Sequence, residues 1–581
     1  MPEEQQETDE TKIVDAIFSE ISNLEQSNKV QRDGIKEIYD AYIGNMDAVK
    51  KVPYFEPISI PKLRTEVSYI VPYIFSGQPE IEVEGVGAED KQIASILEEI
   101  VNYRLKTIPQ SYEKIEAWVK QSVGFGTSLM RVNWVLRTQA TTEGEGEQAQ
   151  QIETPTYDGP EFDVPNILDC YYNPILSDVY CQPALYFRSV LTLEDVKKNP
   201  AYNFSGEKGL NRELVKSKGS TNSDSRNSSQ MVSSDGLDEK TVSEGTIEVY
   251  EKVTRNKIIT ICDGEERLLL RDTPTTYDLI NAVKLTHEPN IIPNRFDGFG
   301  VGQNTIGIAK AYHSIVNQTK QNITLGNNPM FKGTKGANIK KQDLVAKPGG
   351  FIEIDGDDID ALKQVEFQDI KQGALEFQSL LEDEHKRASG ANDIIQGGAS
   401  NKTLGQDEMA SASSANRFDL IQRRFKQGLS DVAEILIIME LKNLQSPDAD
   451  ILRIFPDEMP AIDPMTGQEV MMPGLRQKIY EILISEAKDI KFNVTVKGET
   501  TIAKNKDVQI KQLIDWYEMF SVDLPPENRA AVAKKVLELR GIDEIDTLVP
   551  TPEEMQQQRE ATQTPTGEDT QRGINQSTYQ Q

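Results

Sequence analysis

Residues 295–323 read RFDGFGVGQNTIGIAKAYHSIVNQTKQNI, in which Gly298, Gly300 and Gly302 run directly into a long, polar helical pattern. A glycine turn before a helix has two physical uses. It can cradle a phosphate on the helix N-terminus, or it can bend the chain into a structural rod. GFGVGQ (298–303) lacks the third glycine of G-x-G-x-x-G and follows Pro293 rather than a buried strand. No G-x-x-x-x-G-K-[ST] occurs, and GTKGAN (333–338) is only a distant likeness. The glycines are therefore read as a bend. The helix beyond them carries one stripe, Ile306, Ala309, Val316 and Ile323, with Tyr312 and Thr319 beside it.

Elsewhere two periodicities alternate. Ile13, Ile17, Ile21 and Leu24 predict a helix within 12–42, and Ile93, Ile96, Leu97, Ile100 and Val101 another over 90–106. SYEKIEAWVKQSV predicts a helix ending at Gly124. LMRVNWVL then alternates, with Met130, Val132, Trp134 and Leu136 facing a core and Arg131 and Asn133 facing out. Residues 141–154 read as a hairpin loop, and 246–270 as a β-meander turning at TRN and Asp263-Gly264. The Ser- and Asn-rich stretch 201–246 is expected to be mobile. Further helices are expected over 366–389, on a face of Ile370, Ala374, Phe377 and Leu381, and over 407–444. KFNVTVKG reads as a strand, two closing helices follow it, and the tail with eight Gln in 551–581 reads as disordered.

The chemistry expected of an enzyme is missing from these patterns. His287, His313 and His385 stand apart from one another and from any Cys at ligand spacing. IDGDDID (354–360) lacks the glycine and distal glutamate of a calcium loop. No nucleophile elbow is present. Cys170, Cys181 and Cys262 are expected to be reduced thiols. No charged-then-apolar leader opens the chain, and VAEILIIMEL (432–441) is interrupted by Glu434 and Glu440, so neither secretion nor a membrane span is expected. The reading is of a non-enzymatic protein without metal or cofactor.

Length and charge narrow the remainder. At roughly 150 residues per domain, 581 residues suggest three or four folded units. A formal charge of −30 argues against wrapping nucleic acid, since phosphate binding needs clustered Lys and Arg. One region departs from that balance. Between Gly298 and Ile352 there are seven lysines and one acid, whereas 366–387 holds six acids against three bases. Two helices thus flank a basic, Gly-rich knob, either a solvated loop or a docking site for an acidic partner or nucleic acid.

The order of these elements resembles the portal protein of tailed double-stranded DNA bacteriophages over roughly 30–530. Three stretches carry the likeness: the helix closing on GFGTSLMRVNW (124–134), the segment NRFDGFGVGQNTIGIAKAYHSIVNQTKQNITLGNNP (294–329), and SGANDIIQGGASNKTLGQ (389–406) before a long helix. The resemblance implies an α+β portal fold assembled as a ring of twelve. It places a mixed α/β wing at 1–297, stem helices at 298–326 and 366–389, and a β-containing clip at 327–365. A channel loop would span 390–406, the long helix and the rest of the wing 407–500, a helical crown 501–550, and the tail 551–581. Helices rich in Asn, Gln and Thr with one narrow apolar stripe suit packing between like neighbours in such a ring.

On this resemblance Gly298, Gly300 and Gly302 form the wing-to-stem bend. Asn401 and Lys402 line the channel and touch DNA, and Lys332, Lys335, Lys340 and Lys341 dock partners at the clip. The implied partners are further copies of the chain, double-stranded DNA in the channel, the terminase large subunit, major capsid and scaffolding proteins, and head–tail adaptors. The implied location is the capsid portal vertex of the virion, with assembly in the host cytoplasm. The alternatives are a head–tail adaptor, a capsid protein or a DNA-packaging enzyme.

Overall fold

The computed structural model describes residues 2–45, 56–75, 77–87, 90–143, 150–206, 209–217, 245–327, 331–333, 362–364, 372–390, 404–444, 450–455, 458–462, 469–473, 475–485 and 492–496, with six isolated positions between 514 and 537. Two compact units divide the chain, Met1–Thr501 and Ile502–Gln581. In the second, Ile514, Tyr517, Val532, Lys534, Val536 and Leu537 are helical.

The first unit mixes helix and sheet. It opens with helices α1 (Pro2–Ser27), α2 (Lys29–Ile43) and α3 (Lys62–Ile74), strand β1 (Ile81–Gly85), and helices α4 (Asp90–Thr107) and α5 (Ser111–Phe125). Strands β2 (Thr127–Glu143), β3 (Gln150–Asp163), β4 (Cys170–Tyr171) and β5 (Leu185–Thr192) follow. Next come α6 (Leu193–Lys198), β6 (Ser205–Gly206), β7 (Gly209–Leu210) and α7 (Asn211–Leu214). The meander is β8 (Thr246–Val253), β9 (Lys257–Asp263) and β10 (Arg267–Pro274), before β11 (Ala282–Thr286), β12 (Glu288–Pro289) and β13 (Gly298–Phe299). Helix α8 (Val301–Asn327), the short pair β14 (Phe331–Gly333) and β15 (Leu362–Gln364), and helices α9 (Gln372–Ser389) and α10 (Leu404–Asn443) come next. Strands β16 (Glu458–Ile462) and β17 (Glu469–Pro473), helix α11 (Leu475–Ser485) and β18 (Phe492–Val496) complete the unit.

The largest core gathers α3, α4, α5, β2, β11 and α10. Trp118 of α5 is fully buried, with its ring 6.1 Å from that of Phe425 on α10. Gly428 stands opposite: a Cβ there would lie 2.8 Å from the indole. A mid-helix glycine costs about 1 kcal/mol against alanine, and here it makes room for the tryptophan. All five apolar positions expected on α4 are buried. Strand β1 pairs with β18, Ile81 to Val496. Its other edge is occupied by side chains of α4, with Asn102 bonding both N and O of Ile81 and Glu98 accepting from the Val83 amide.

A second layer is the antiparallel sheet β10-β9-β8-β5-β4, which contains the expected meander. Helix α1 lies on it, burying Val14, Ile17 and Ile21 against Tyr186, Tyr250, Ile261 and Leu269. The single helical run expected over 12–42 is two helices, broken at Asn28, whose amide donates to the Tyr172 carbonyl (2.9 Å). Helix α5 ends not at Gly124 but at Phe125, and the left-handed cap is Gly126, two residues later than expected, with a φ of 89°.

Strand β2 also differs from the half-buried reading. Leu129, Met130, Arg131 and Val132 are all buried, so both faces are covered there, while Leu136 is 53% exposed. The cause is the register: β11 flanks β2 only from Thr127 to Arg131, and beyond that β2 has β3 alone. Arg131 is buried because its guanidinium pairs with Glu251 and lies over the Phe187 ring (4.1 Å). The β2–β3 ladder reaches Glu143 and Gln150, deep into the expected loop. Of the stretch expected to be mobile, 201–206 and 209–217 are folded, with Val215 and Asn211 buried against the sheet, and 218–244 lies outside the described residues. The three cysteines are free, and burial raises the thiol pKa of Cys170 and Cys262.

Candidate functional site at the root of the long helices

The turn that closes α5 and the glycines before α8 are pressed together. The His287 amide donates to the Gly126 carbonyl (3.0 Å), and the Gly298 amide to the Thr127 hydroxyl (2.8 Å). Gln303 closes the junction from the helix side: its amide accepts from the Gly300 N–H (2.7 Å) and donates to the Phe125 carbonyl (2.7 Å).

None of Gly298, Gly300 and Gly302 has a left-handed φ, so backbone freedom is not what they supply. They supply the absence of a side chain. A Cβ on Gly298 would sit 2.4 Å from the Glu288 carbonyl oxygen, and one on Gly300 2.5 Å from the Gly126 nitrogen. On Gly302 it would meet the Gly124 carbonyl oxygen at 2.5 Å. The faces a phosphate would need are filled by the backbone of residues 123–126.

Asp297 precedes these glycines and is buried. Its carboxylate accepts from the Tyr172 hydroxyl, and the Tyr172 ring stacks on Phe296 (4.1 Å between centroids). Burial raises Asp297 from 3.8 to about 6, against the hydrogen bond from Tyr172. A carboxyl whose folded pKa is raised gives its full stability below the unfolded value, and that stability is lost as pH rises through the folded one. Unfolding measured from about pH 4 to about pH 8 should therefore show a fall attributable to Asp297 of at most about 3 kcal/mol. Asp297→Asn should remove that slope, and an unaltered slope in the variant would count against it.

Helix α8 packs on α2, α3 and α5, and beside α9. Its buried face follows the expected stripe only in part: Ala309 and Tyr312 are buried and Ile306 packs on the core, but Ile323 is 51% exposed, while Thr305 and Asn317 are fully buried. The polar residues are inside because they are bonded. Asn317 accepts from the Ile58 amide (2.7 Å) and donates to its carbonyl (3.0 Å), clamping the chain that leads into α3. His313 lies beside it, 3.2 Å from the Asn317 amide.

Helix α9 meets its expected face only in part, with Ala374 and Leu381 half-buried. Leu375, Phe377 and Leu380 are about half exposed, and the buried positions are His385 and Ser389. Ile370 lies outside the described residues. The two helices pack on each other, and between them in sequence lies the β14–β15 pair, whose register sets Lys332 opposite Lys363. Lys335, Lys340, Lys341, Asn401 and Lys402 lie outside the described residues. Helix α10 runs for 40 residues, about 60 Å at ~1.5 Å per residue.

Three buried charge-bearing contacts have no local signal in sequence: Tyr172 with Asp297, Arg104 with Glu440, and Glu66 with His385. Each joins segments more than a hundred residues apart. Among the described residues no group of His, Cys, Asp and Glu is placed to hold a metal, and no helix is long and apolar enough to cross a membrane.

No curated protein matches the chain. Residues 259–464, from β9 to just past β16 and so containing the glycine junction and α8 to α10, match the family model described as phage SU10 portal protein. That segment is about a third of the sequence, and over it the chain is similar to the phage SU10 portal protein family.

Proposed function

We propose that this protein is a structural subunit of a twelve-membered portal ring at one capsid vertex, forming the channel through which double-stranded DNA is packaged and later ejected. The observation that carries the reading is the helix, β-pair, helix unit inside the matched segment, with Ile323, Leu375, Phe377 and Leu380 left half-exposed in the single chain. Exposed apolar side chains on a paired-helix rod gain by closing against a neighbour, and head-to-tail contacts that close make a ring.

In this assembly α8 and α9, extended to 298–326 and 366–389, are the stem. The clip is 327–365, where Lys332, Lys335, Lys340 and Lys341 dock the terminase large subunit and then the head–tail adaptors. Residues 390–406 form the channel loop, where Asn401 and Lys402 meet DNA without reading sequence. Residues 501–550 are the crown, and the remaining folded parts form the wing, which meets capsid and scaffolding proteins. The role is non-enzymatic and needs no cofactor.

Class-averaged images and the particle mass of the purified full-length chain should show an annulus with a central hole. A compact monomer at high concentration would exclude the proposal. A ring formed by a chain whose Lys402→Glu variant packages and retains DNA normally would keep the assembly and remove the role of Lys402.

A further inference from the structure

Helix α9 has an inward and an outward side. Ala374, Gln378, Leu381 and His385 lie inward at helical spacing, and His385 Nδ1 is held 2.6 Å from Glu66 Oε1 of α3. The outward side is apolar where a solvated helix is polar: Leu375, Phe377 and Leu380 are about half exposed, with Glu376 and Asp383 exposed beside them. Single apolar side chains on a surface are ordinary, but three together form a face.

The outward side of α8 is opposite in shape and in charge. Asn304, Gly307, Ala311 and Gln318 are exposed along it. Gly307 has no left-handed φ, and nothing lies within 4 Å of where its Cβ would stand. A glycine inside a helix costs about 1 kcal/mol against alanine. Gly428 offsets that cost by admitting Trp118, whereas no group among the described residues approaches Gly307. The missing side chain leaves a low place on the rod, open from outside. Helix α8 also carries two lysines and no acid, and α9 four acids against two bases. The lysines are engaged within the chain, Lys310 with Glu37 and Lys320 with the Glu56 carbonyl, but through exposed contacts that leave their positive field directed outward.

We propose that the outward face of α9 in one copy docks on the outward face of α8 in the next, with Phe377 and Leu380 lying over Gly307 and Ala311. One chain carries both halves of the contact on different helices, so each copy gives one face and receives the other. Large residues set against small ones let the helices approach closely and cover the apolar side chains, and the acids of α9 then meet the basic side of α8. Pairing α9 with α9 would instead set its acids against each other. The inference rests on the ring proposed above and names the faces that close it.

Annulus formation and cross-linking of the full-length protein test it. Gly307→Leu fills open space with a better helix former, so the unfolding midpoint of the dilute chain should be unchanged or higher. Its annuli should need a protein concentration higher by on the order of ten- to a hundredfold, the effect of one overpacked contact. Leu380→Ala should shift assembly in the same direction. Cys181 is exposed and Cys170 and Cys262 are buried, so cross-linking uses a Cys181→Ser background. There Ala311→Cys combined with Leu380→Cys should give a ladder of covalent multimers with a bis-maleimide, and neither substitution alone should. If the wild type forms annuli and Gly307→Leu forms them equally well, or if either single variant cross-links as well as the pair, the docking is overturned while the ring stands. If the wild type forms no annuli, ring and docking fall together.

Discussion

Gly300→Ala should destabilise the first unit by about 3 kcal/mol or more, at the upper end of what overpacking costs. The new methyl would meet the Gly126 nitrogen at 2.5 Å and the Val123 carbonyl oxygen at 2.6 Å. Both are backbone atoms of the turn that caps α5, so no rotamer change relieves the clash. Either the last turn of α5 or the start of α8 must move, and the Gln303 bonds that tie them together are lost with it. Gly307→Ala is the matched control. It lies on the same helix with open space where a Cβ would go, and should be stabilising by up to about 1 kcal/mol. The denaturant midpoints of the two variants at equal protein concentration give the comparison. Similar midpoints would mean that the junction is soft and that the glycines serve another purpose.

Arg104→Ala should cost about 3–5 kcal/mol, the usual penalty for leaving one buried charge without its partner. Arg104 Nε donates to Glu440 Oε1 at 2.6 Å and Nη2 to Oε2 at 3.3 Å, with both side chains less than 10% exposed. Burial already pushes the Glu440 carboxyl above its ordinary range against the pull of the guanidinium. Without Arg104 that carboxylate has nothing to offset its desolvation. The double change Arg104→Met with Glu440→Leu should recover most of the loss, because it removes both charges and keeps the volume. A double variant as unstable as Arg104→Ala would mean that the site depends on the shape of the bidentate pair rather than on charge balance.

Residues whose environment is set by local neighbours were readable in sequence. The α4 stripe, the β8–β10 meander and the span of the long helix near 407–444 all follow from periods of 3.6 or 2 with turn residues between them. Burial set by distant partners was not. Arg131 looked like an outward residue because alternation cannot show that Glu251 and Phe187 cover the second face of β2. The burial of Asn317 on both backbone groups of Ile58, and of His385 on Glu66, has no local sign in the sequence. The glycines before α8 were correctly marked as special but for the wrong physical cause. Sequence shows that a side chain is missing, and only the fold shows whether φ or proximity demands it. On α9 the period of apolar residues marks a face that includes Phe377, but period alone does not say what covers it, and Phe377 is 46% exposed.

The β1–β18 ladder carries a consequence for biosynthesis. Ile81 waits for Val496, and Arg104 for Glu440, before either can be satisfied. At roughly 5–20 residues per second on the ribosome, the early helices are exposed for on the order of 20 to 80 s before the strand that completes their sheet emerges. Final closure of this unit therefore waits on the synthesis of residues more than four hundred positions downstream of β1.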